Sequence, residues 1–536
     1  RNDQVDFSFG AEIGAGGYLA PMEADDEASS DLDTDTNGVA LPGAKTIGVT
    51  ATTGIAVGNY VMIGTNGTDS CEIRKVTAFD DSTSPKTITL NAPLGYYHAD
   101  AEEIQEVGYS GGLISTLTLD AKTSDHMRFT PGAWESIDLP DPTMEIEPRY
   151  FLGSGAKRNF YSAYKGQQSL SGTLSNFELL NGYPLRFPIG TVSTTGSDNG
   201  AGASTLSAAT FAGQYEIDVA SASGYVDDDY IQVDVGALSE VRKIVDVATN
   251  NIFLDYPLLF DHDSGVACNE VTSPYTHTIL EAVELPGISW QVKNRDSTEN
   301  ASNDWIRRYF GGKIGQATLT AEEGGTLRMS WESAPFLNMN HNQYDHSGIT
   351  APINKFDASN KAVTVEKPDT EPYYFSQGSI TMFGVEFARV ANFTININNN
   401  LEPRYFINSS GERTPSAIFE GRREYSMTAT MVLPDSISST ASTKTLFKEL
   451  LAEGDYGSGM AGFDIALVFT RGANDTLTIT IPAAADGVAG IGGNNQGAFI
   501  RSANTSVSTE NPVSTEVDIL FRNMSIVVKD SEPVYP

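Results

Sequence analysis

The chain has 536 residues, 40% of them hydrophobic, and 34 Lys and Arg stand against 69 Asp and Glu, a net charge of −35. This length is too great for one core and predicts three or four domains, while the apolar share excludes a disordered acidic chain. The charge excludes attraction to nucleic acid or anionic membranes, and fits a protein kept soluble in molar salt, where screening removes most self-repulsion.

Residues 1–38 are polar and Gly-rich, with an acidic run from Glu23 to Asp35, and read as an extended arm rather than core. Asp33-Thr34-Asp35-Thr36-Asn37-Gly38 matches the first half of a calcium loop, but Ala44 stands where the chelating Glu belongs, so a solvated acidic turn is expected. From 39 to 108 short strands are predicted at Thr46–Val49, Tyr60–Ile63, Glu72–Val76 and Thr87–Leu90. This small β-module returns at 203–272. Glu72-Ile73-Arg74-Lys75-Val76 meets Glu240-Val241-Arg242-Lys243-Ile244, and His98 meets His262. The offset drifts from 170 to 164, as expected when loops change length and strands keep step.

Between the modules, 109–202 reads as strands at Leu113–Leu119 and Tyr164–Leu174, then a short helix over 175–180 stopped by Pro184. Ser, Thr and Gly make 191–203 a linker. The segment 273–536 repeats this order. A hairpin is predicted from 379–387 and 392–397, a strand at Glu424–Val432, a helix over 443–451, and closing strands at 464–469, 476–481 and 516–528.

The chain repeats itself most plainly at Glu147-Pro148-Arg149-Tyr150-Phe151. The same five residues return 255 positions later as Glu402-Pro403-Arg404-Tyr405-Phe406, in step with further matches such as Tyr164 with Phe419 and Gly166 with Gly421. A fixed offset of this kind marks a duplicated structural unit. Glu147, Arg149, Tyr150, Glu402, Arg404 and Tyr405 are therefore candidate subunit-interface residues. Pro fixes a bend at a strand edge, Arg offers a fork to a carboxylate, within its own domain or across subunits, and Tyr supplies area.

No catalytic, metal or cofactor site is expected. Gly108-Tyr109-Ser110-Gly111-Gly112 matches a nucleophile elbow by letter, but a strand pattern follows it where a helix is required. His341 and His346 lack a carboxylate partner motif. Cys71 and Cys268 are too few for a disulfide framework and read as free and at least partly buried. No apolar run is long enough to span a membrane, and Arg1-Asn2-Asp3-Gln4 is not a signal peptide.

The order of these signatures resembles the major tail tube proteins of long-tailed viruses, in the group with two fused tube domains. The resemblance is carried by Asn398 to Tyr405, Pro415 to Ile418 and Gly421 to Glu424, preceded by Leu285-Pro286-Gly287-Ile288, Tyr309 to Ile314 and Glu322 to Leu327. It covers roughly 109–190 and 275–536. It implies a mainly β fold: two tandem β-sandwich or half-barrel tube domains, each with one flanking helix. Tube domain 1 would combine the 1–38 arm with 109–202 and tube domain 2 would be 273–536, with β decoration modules at 39–108 and 203–272. Six such domains make a ring, so two fused copies imply trimeric rings stacked into a virion tail tube, assembled in the host cytoplasm. The implied partners are copies of the chain itself, other tail proteins at the tube ends, and viral DNA passing without specific binding. No membrane partner is implied. The acidic surface resembles those of haloarchaeal proteins and points to a virus of haloarchaea. The competing readings are a cell-surface β-domain protein of the same host and a baseplate component.

Overall fold

A computed structural model describes residues 5–12, 33–53, 55, 57, 60–64, 72–90, 94–107, 129–150, 160–295, 304–341, 353–355, 370–382, 385–386, 390–406, 413–432, 463–482, 497–507 and 513–535. The fold is mainly β, with one α-helix among the described residues. The strand at Leu113–Leu119, the glycine turn at 108–112, Cys71, His346 and the helix over 443–451 lie outside the described residues.

The central element is an eight-stranded antiparallel sheet. Its strands in chain order are β1 (Ser136–Asp138), β2 (Ser171–Glu178), β3 (Gln316–Glu322), β4 (Arg328–Pro335), β5 (Val390–Asn398), β6 (Glu424–Val432), β7 (Ala498–Ser506) and β8 (Ser514–Phe521). Across the sheet they run β1-β2-β4-β3-β5-β6-β8-β7. The second four strands repeat the first four: a leading strand, its neighbour, then a hairpin whose later strand pairs inward. Tyr425 opposes Phe521 in one half, and in the other the Phe336 N–H donates to the Leu170 carbonyl at 2.9 Å. At the offset of 255 residues Leu170 and Tyr425 are the same position, so tertiary structure and sequence repeat agree.

Alternation decides which face of this sheet is wet. Phe393, Ile395 and Ile397 of β5, and Met427, Ala429 and Met431 of β6, are buried. They pack under two covering sheets. One contains Val5–Glu12, Gly287–Asn294 and Trp305–Gly312; the other contains Ala267–Glu281, Ser525–Asp530, Asp475–Ile481 and Ile465–Gly472. Trp290 stacks on Trp331 with ring centroids 6.1 Å apart under the first cover, and Phe393 meets Phe469 at 6.0 Å under the second.

Several sequence expectations change here. Residues 5–12 are a core strand, not an arm: Phe7 and Phe9 are 2% and 1% exposed, and such burial contributes about 2 kcal/mol per ring. The helix expected over 175–180 is strand β2. The helix α1 is Tyr183–Ile189, with Pro184 in its first turn, where the missing N–H costs nothing. All seven residues of α1 are buried. The 191–203 linker belongs to a strand, Gly190–Thr205, paired along Ala267–Glu281. The predicted hairpin of 379–387 with 392–397 does not form, because Gly378–Met382 joins a covering sheet and β5 joins the central one. The single strand at 516–528 is β8 followed by Ser525–Asp530, in different sheets.

The two small β-modules have the same strand order. Asp33–Asp35, Glu103–Val107, Tyr60–Ile63, Glu72–Asp80, Lys86–Leu90 and Thr46–Val49 adjoin in that sequence. Their counterparts are residues 203–205 of the Gly190–Thr205 strand, the start of Ala267–Glu281, Tyr230–Val233, Glu240–Ala248, Asn251–Leu254 and Glu216–Asp218. Asp33–Asp35 is thus an edge strand rather than a solvated turn. The modules touch each other. The Tyr215 and Glu216 N–H groups both donate to the Gly95 carbonyl, at 3.1 and 3.2 Å, and Tyr96 stacks on Tyr215 at 5.3 Å. Gly43, at φ +84°, leaves the room that Phe211 fills.

Each module buries one charged cluster at an equivalent place. Glu72 pairs with Arg74, accepts the Gly95 N–H at 2.9 Å and holds His98 Nε2 at 2.9 Å; Glu102 stands 3.4 Å from His98 Nδ1. Glu240 pairs with Arg242 at 2.5 Å, accepts the Leu259 N–H at 2.8 Å and holds His262 Nε2 at 2.7 Å, with Asp234 at 3.2 Å from Nδ1. Burial alone would pull both imidazoles down, but the flanking carboxylates outweigh it and raise them. These backbone and side-chain bonds make each cluster an internal staple, and Cys268 is buried beside the second.

Candidate subunit interface

The repeated motif lies on two exposed β-ribbons that connect corresponding strands of the central sheet. In the first, Thr143–Arg149 pairs with Ser162–Ser169 and joins β1 to β2. In the second, Glu402–Arg404 pairs with Ala417–Phe419 and joins β5 to β6. The registers are the same. Glu147 opposes Tyr164 as Glu402 opposes Phe419, and Arg149 opposes Ser162 as Arg404 opposes Ala417. The Tyr161 N–H donates to the Arg149 carbonyl at 2.7 Å, and the Ser416 N–H to the Arg404 carbonyl at 2.8 Å. Identical local sequence and turn spacing therefore give identical pairing.

The side chains then diverge. The Arg149 guanidinium lies over the Tyr164 ring, 4.3 Å from its centroid. Arg404 Nη2 binds Glu402 at 2.7 Å, with both partners more than half exposed, so the pair adds well under about 1 kcal/mol. Tyr405 is half-buried; burial raises its phenol, and its hydroxyl donates to the Gln168 carbonyl at 3.1 Å. The Gln168 N–H in turn donates to the Arg413 carbonyl at 2.9 Å. The structure thus gathers Glu147, Arg149 and Tyr150 on one ribbon and Glu402, Arg404 and Tyr405 on the other. It brings the ribbons together through Gln168. Tyr150 is 67% exposed.

The ribbons also expose apolar residues beyond the six interface candidates. Ile146, Phe160, Tyr161 and Tyr164 are exposed on the first ribbon, and Phe406 and Phe419 on the second. A tight apolar cluster on an otherwise acidic surface marks a contact surface, and aromatic anchors are the residues such contacts use.

Among the described residues the central sheet ends at β1 and at β7, and β7 is bridged on its outer side at Ala498, by Phe463. Inside the chain its halves join where β3 pairs with β5, with Ala321 opposite Phe393 and Gln316 opposite Asn398. The matching hairpins put Val507 at the end of β7 in the place of Ala321, and Ile137 of β1 in the place of Phe393. Ala321 is 3% exposed, whereas Val507 is 77% exposed. An edge as long as β7, nine residues, invites pairing by another chain.

The wet face of the sheet is polar and largely uncharged. Thr320, Thr394, Thr428 and Asp518 form one row across four strands, each opposite the next. Ser330, Asn396 and Ser426 belong to the same partly exposed face, with Glu332 and Glu516 among its acids. The described residues contain no cluster of acids, His and Cys suited to a metal ion, and no helix long and apolar enough to cross a membrane.

No curated protein matches the chain. The family model described as phage tail tube protein matches residues 154–520, a span that takes in nearly all of strands β2 to β8, the segment 203–272 and the second ribbon. With that match over well more than half its length, the chain belongs to the phage tail tube protein family.

Proposed function

We propose that the chain forms the tail tube as trimeric rings stacked end to end, through which the genome is delivered. One observation carries this reading: the central sheet is a four-stranded unit used twice, and among the described residues no further strand follows β1 or β7. A ring of six such units needs three chains, and closing β7 of each onto β1 of the next removes every edge. A closed barrel of three times eight strands is wide enough to be a channel rather than a packed core.

In this arrangement the polar face of Ser, Thr and Asn lines the bore. The acids outnumber the cations on this face, and Arg501 and Arg328 are paired with Asp518 and Glu135, so phosphate finds little purchase and DNA passes without sticking. The covering sheets, the ribbons and the two β-modules face outward. The partition into two tube units with modules at 39–108 and 203–272 as outer decorations follows the same logic, since each module has its own small core. The acidic excess of the chain suits a virus of haloarchaea, whose proteins work in molar salt. Assembly would then take place in the host cytoplasm, with other tail proteins capping the tube.

Electron microscopy of the purified protein in molar salt tests the reading. Hollow tubes built of threefold rings are expected. Monomers, or flat two-dimensional lattices, would overturn it and favour a cell-surface protein.

A further inference from the structure

The internal junction contains a contact that the ends of the chain lack. The second ribbon leans back over the first unit, and Tyr405 donates its hydroxyl to the Gln168 carbonyl at 3.1 Å. The first ribbon has no preceding unit within the chain to lean on, and Tyr150, the repeat counterpart of Tyr405, is 67% exposed. The counterpart of Gln168 is Arg423, one residue before β6. Beside Arg423 lies an open groove lined by Glu420, Tyr425, Arg522 and Val283. Val283 is 98% exposed there.

We infer that Tyr150 of each copy inserts into this groove on its neighbour and donates its hydroxyl to the Arg423 carbonyl. The partner is a second copy of this chain, and the inference rests on the ring reading above. Three features support it. The two ribbons share sequence and register, so their tyrosines leave the backbone at the same place. Arg423 is held from below, its Nε donating to Asn399 Oδ1 at 2.8 Å, and Asn399 is itself anchored on the Pro188 and Ile314 carbonyls at 3.0 and 2.9 Å. Glu420 is likewise fixed by Lys313 at 2.7 Å. The groove floor is thus rigid before any partner arrives, which lowers the entropy lost on binding. A phenol with an apolar body and a polar tip suits a groove of this composition. The contact is heterologous, one patch meeting a different patch, which is the type that closes rings.

Cross-linking separates the brace from the ring. A Tyr150→Cys, Arg423→Cys chain, assembled in molar salt and treated with a short bismaleimide, is expected to give covalent dimers and trimers on a denaturing gel. Each single variant, and the parent with Cys71 and Cys268, sets the background. The Tyr405→Cys, Gln168→Cys chain is expected to react within one chain and give no ladder, which calibrates the linker on the internal contact. Tubes that form without a ladder, while the internal pair reacts, would overturn the brace and leave the ring standing. Failure of the parent to form tubes would overturn the ring and the brace together. Tyr150→Phe keeps the ring of the side chain and loses only the hydroxyl. It is expected to raise the critical concentration for tube formation about fivefold, the effect of one interfacial hydrogen bond. An unchanged critical concentration would overturn the assigned bond.

Discussion

His98 and His262 are held between carboxylates in equivalent buried clusters, and this has a consequence for pH. Burial works against the charged imidazole, but Glu72 and Glu102 around the first, and Glu240 and Asp234 around the second, leave both raised above the ordinary histidine value. A raised folded-state value means stability that is fully present below the unfolded value and lost as pH rises through the folded one. Glu72 adds the opposite limb. Burial pushes it up, yet Arg74 and His98 hold it below the usual carboxylate value, so its contribution is lost only in acid. The modules are therefore expected to be tightest in the mildly acid range. Protection of the amides of Tyr60–Ile63 and Tyr230–Val233, taken relative to the intrinsic exchange rate at each pH, should fall as pH rises above the ordinary histidine value. His98→Gln should abolish that dependence in the first module only. Equal protection across the range in the parent would count against the cluster as a stabilising device.

At the scale of elements, the outer edge of β7 is where the proposed ring would close. Its internal equivalent, β3, buries Ala321 against Phe393. Val507 holds the corresponding place and is exposed in the single chain. Val507→Asp is expected to leave the monomer folded, because the side chain points to solvent there, and to stop tubes forming. A carboxylate facing Ile137 of a neighbour would be buried unpaired, at a cost of several kcal/mol. Sedimentation of the variant in molar salt, with circular dichroism as the folding check, measures both halves of that statement. Tubes at the parent's yield would mean that β7 does not meet β1. The ribbons' repeated motif was legible because it recurs at a fixed offset, but the ribbons themselves were not, and the strand expected at Tyr164–Leu174 divides at Leu170 between the first ribbon and β2. Helix α1 was not legible either, since Pro184 reads equally as a stop or as a first-turn residue, and only the strand pairing of β2 with β4 decides between them.

For the whole molecule, charge at the bore is the property that separates a conduit from a binding protein. The row Thr320, Thr394, Thr428 and Asp518 crosses the proposed inner wall. Thr394→Lys with Thr428→Lys would place cations on it without touching the core, since both side chains face away from Phe393 and Met427. Tubes of this variant are expected to retain double-stranded DNA at low salt and release it as salt rises, whereas parent tubes retain none. Co-sedimentation of short duplexes across a salt series reads this directly. DNA held equally by both tubes would remove the argument for a non-adhesive wall.

The sequence by itself determined the β class, the recurrence of the 39–108 strand pattern at 203–272, and the duplication. Each is written in local periodicity or in fixed offsets, which a chain carries without reference to its fold. Glu147 to Phe151 and Glu402 to Phe406 marked a repeated segment, and the match of Glu72 with Glu240 and of His98 with His262 marked equivalent positions, before any contact was known. Only the tertiary structure decided which sheet each strand joins. The alternation from 516 to 528 runs on through the crossing at Arg522 and Asn523, where the chain leaves one layer for another, because period two reports which side is apolar and not what lies across from it. The buried strand at 5–12 escaped for the same reason. Its few apolar residues, Phe7 and Phe9 among Asp, Ser and Gly, become core only because the strand of Gly287–Asn294, some 280 residues away, offers it an edge.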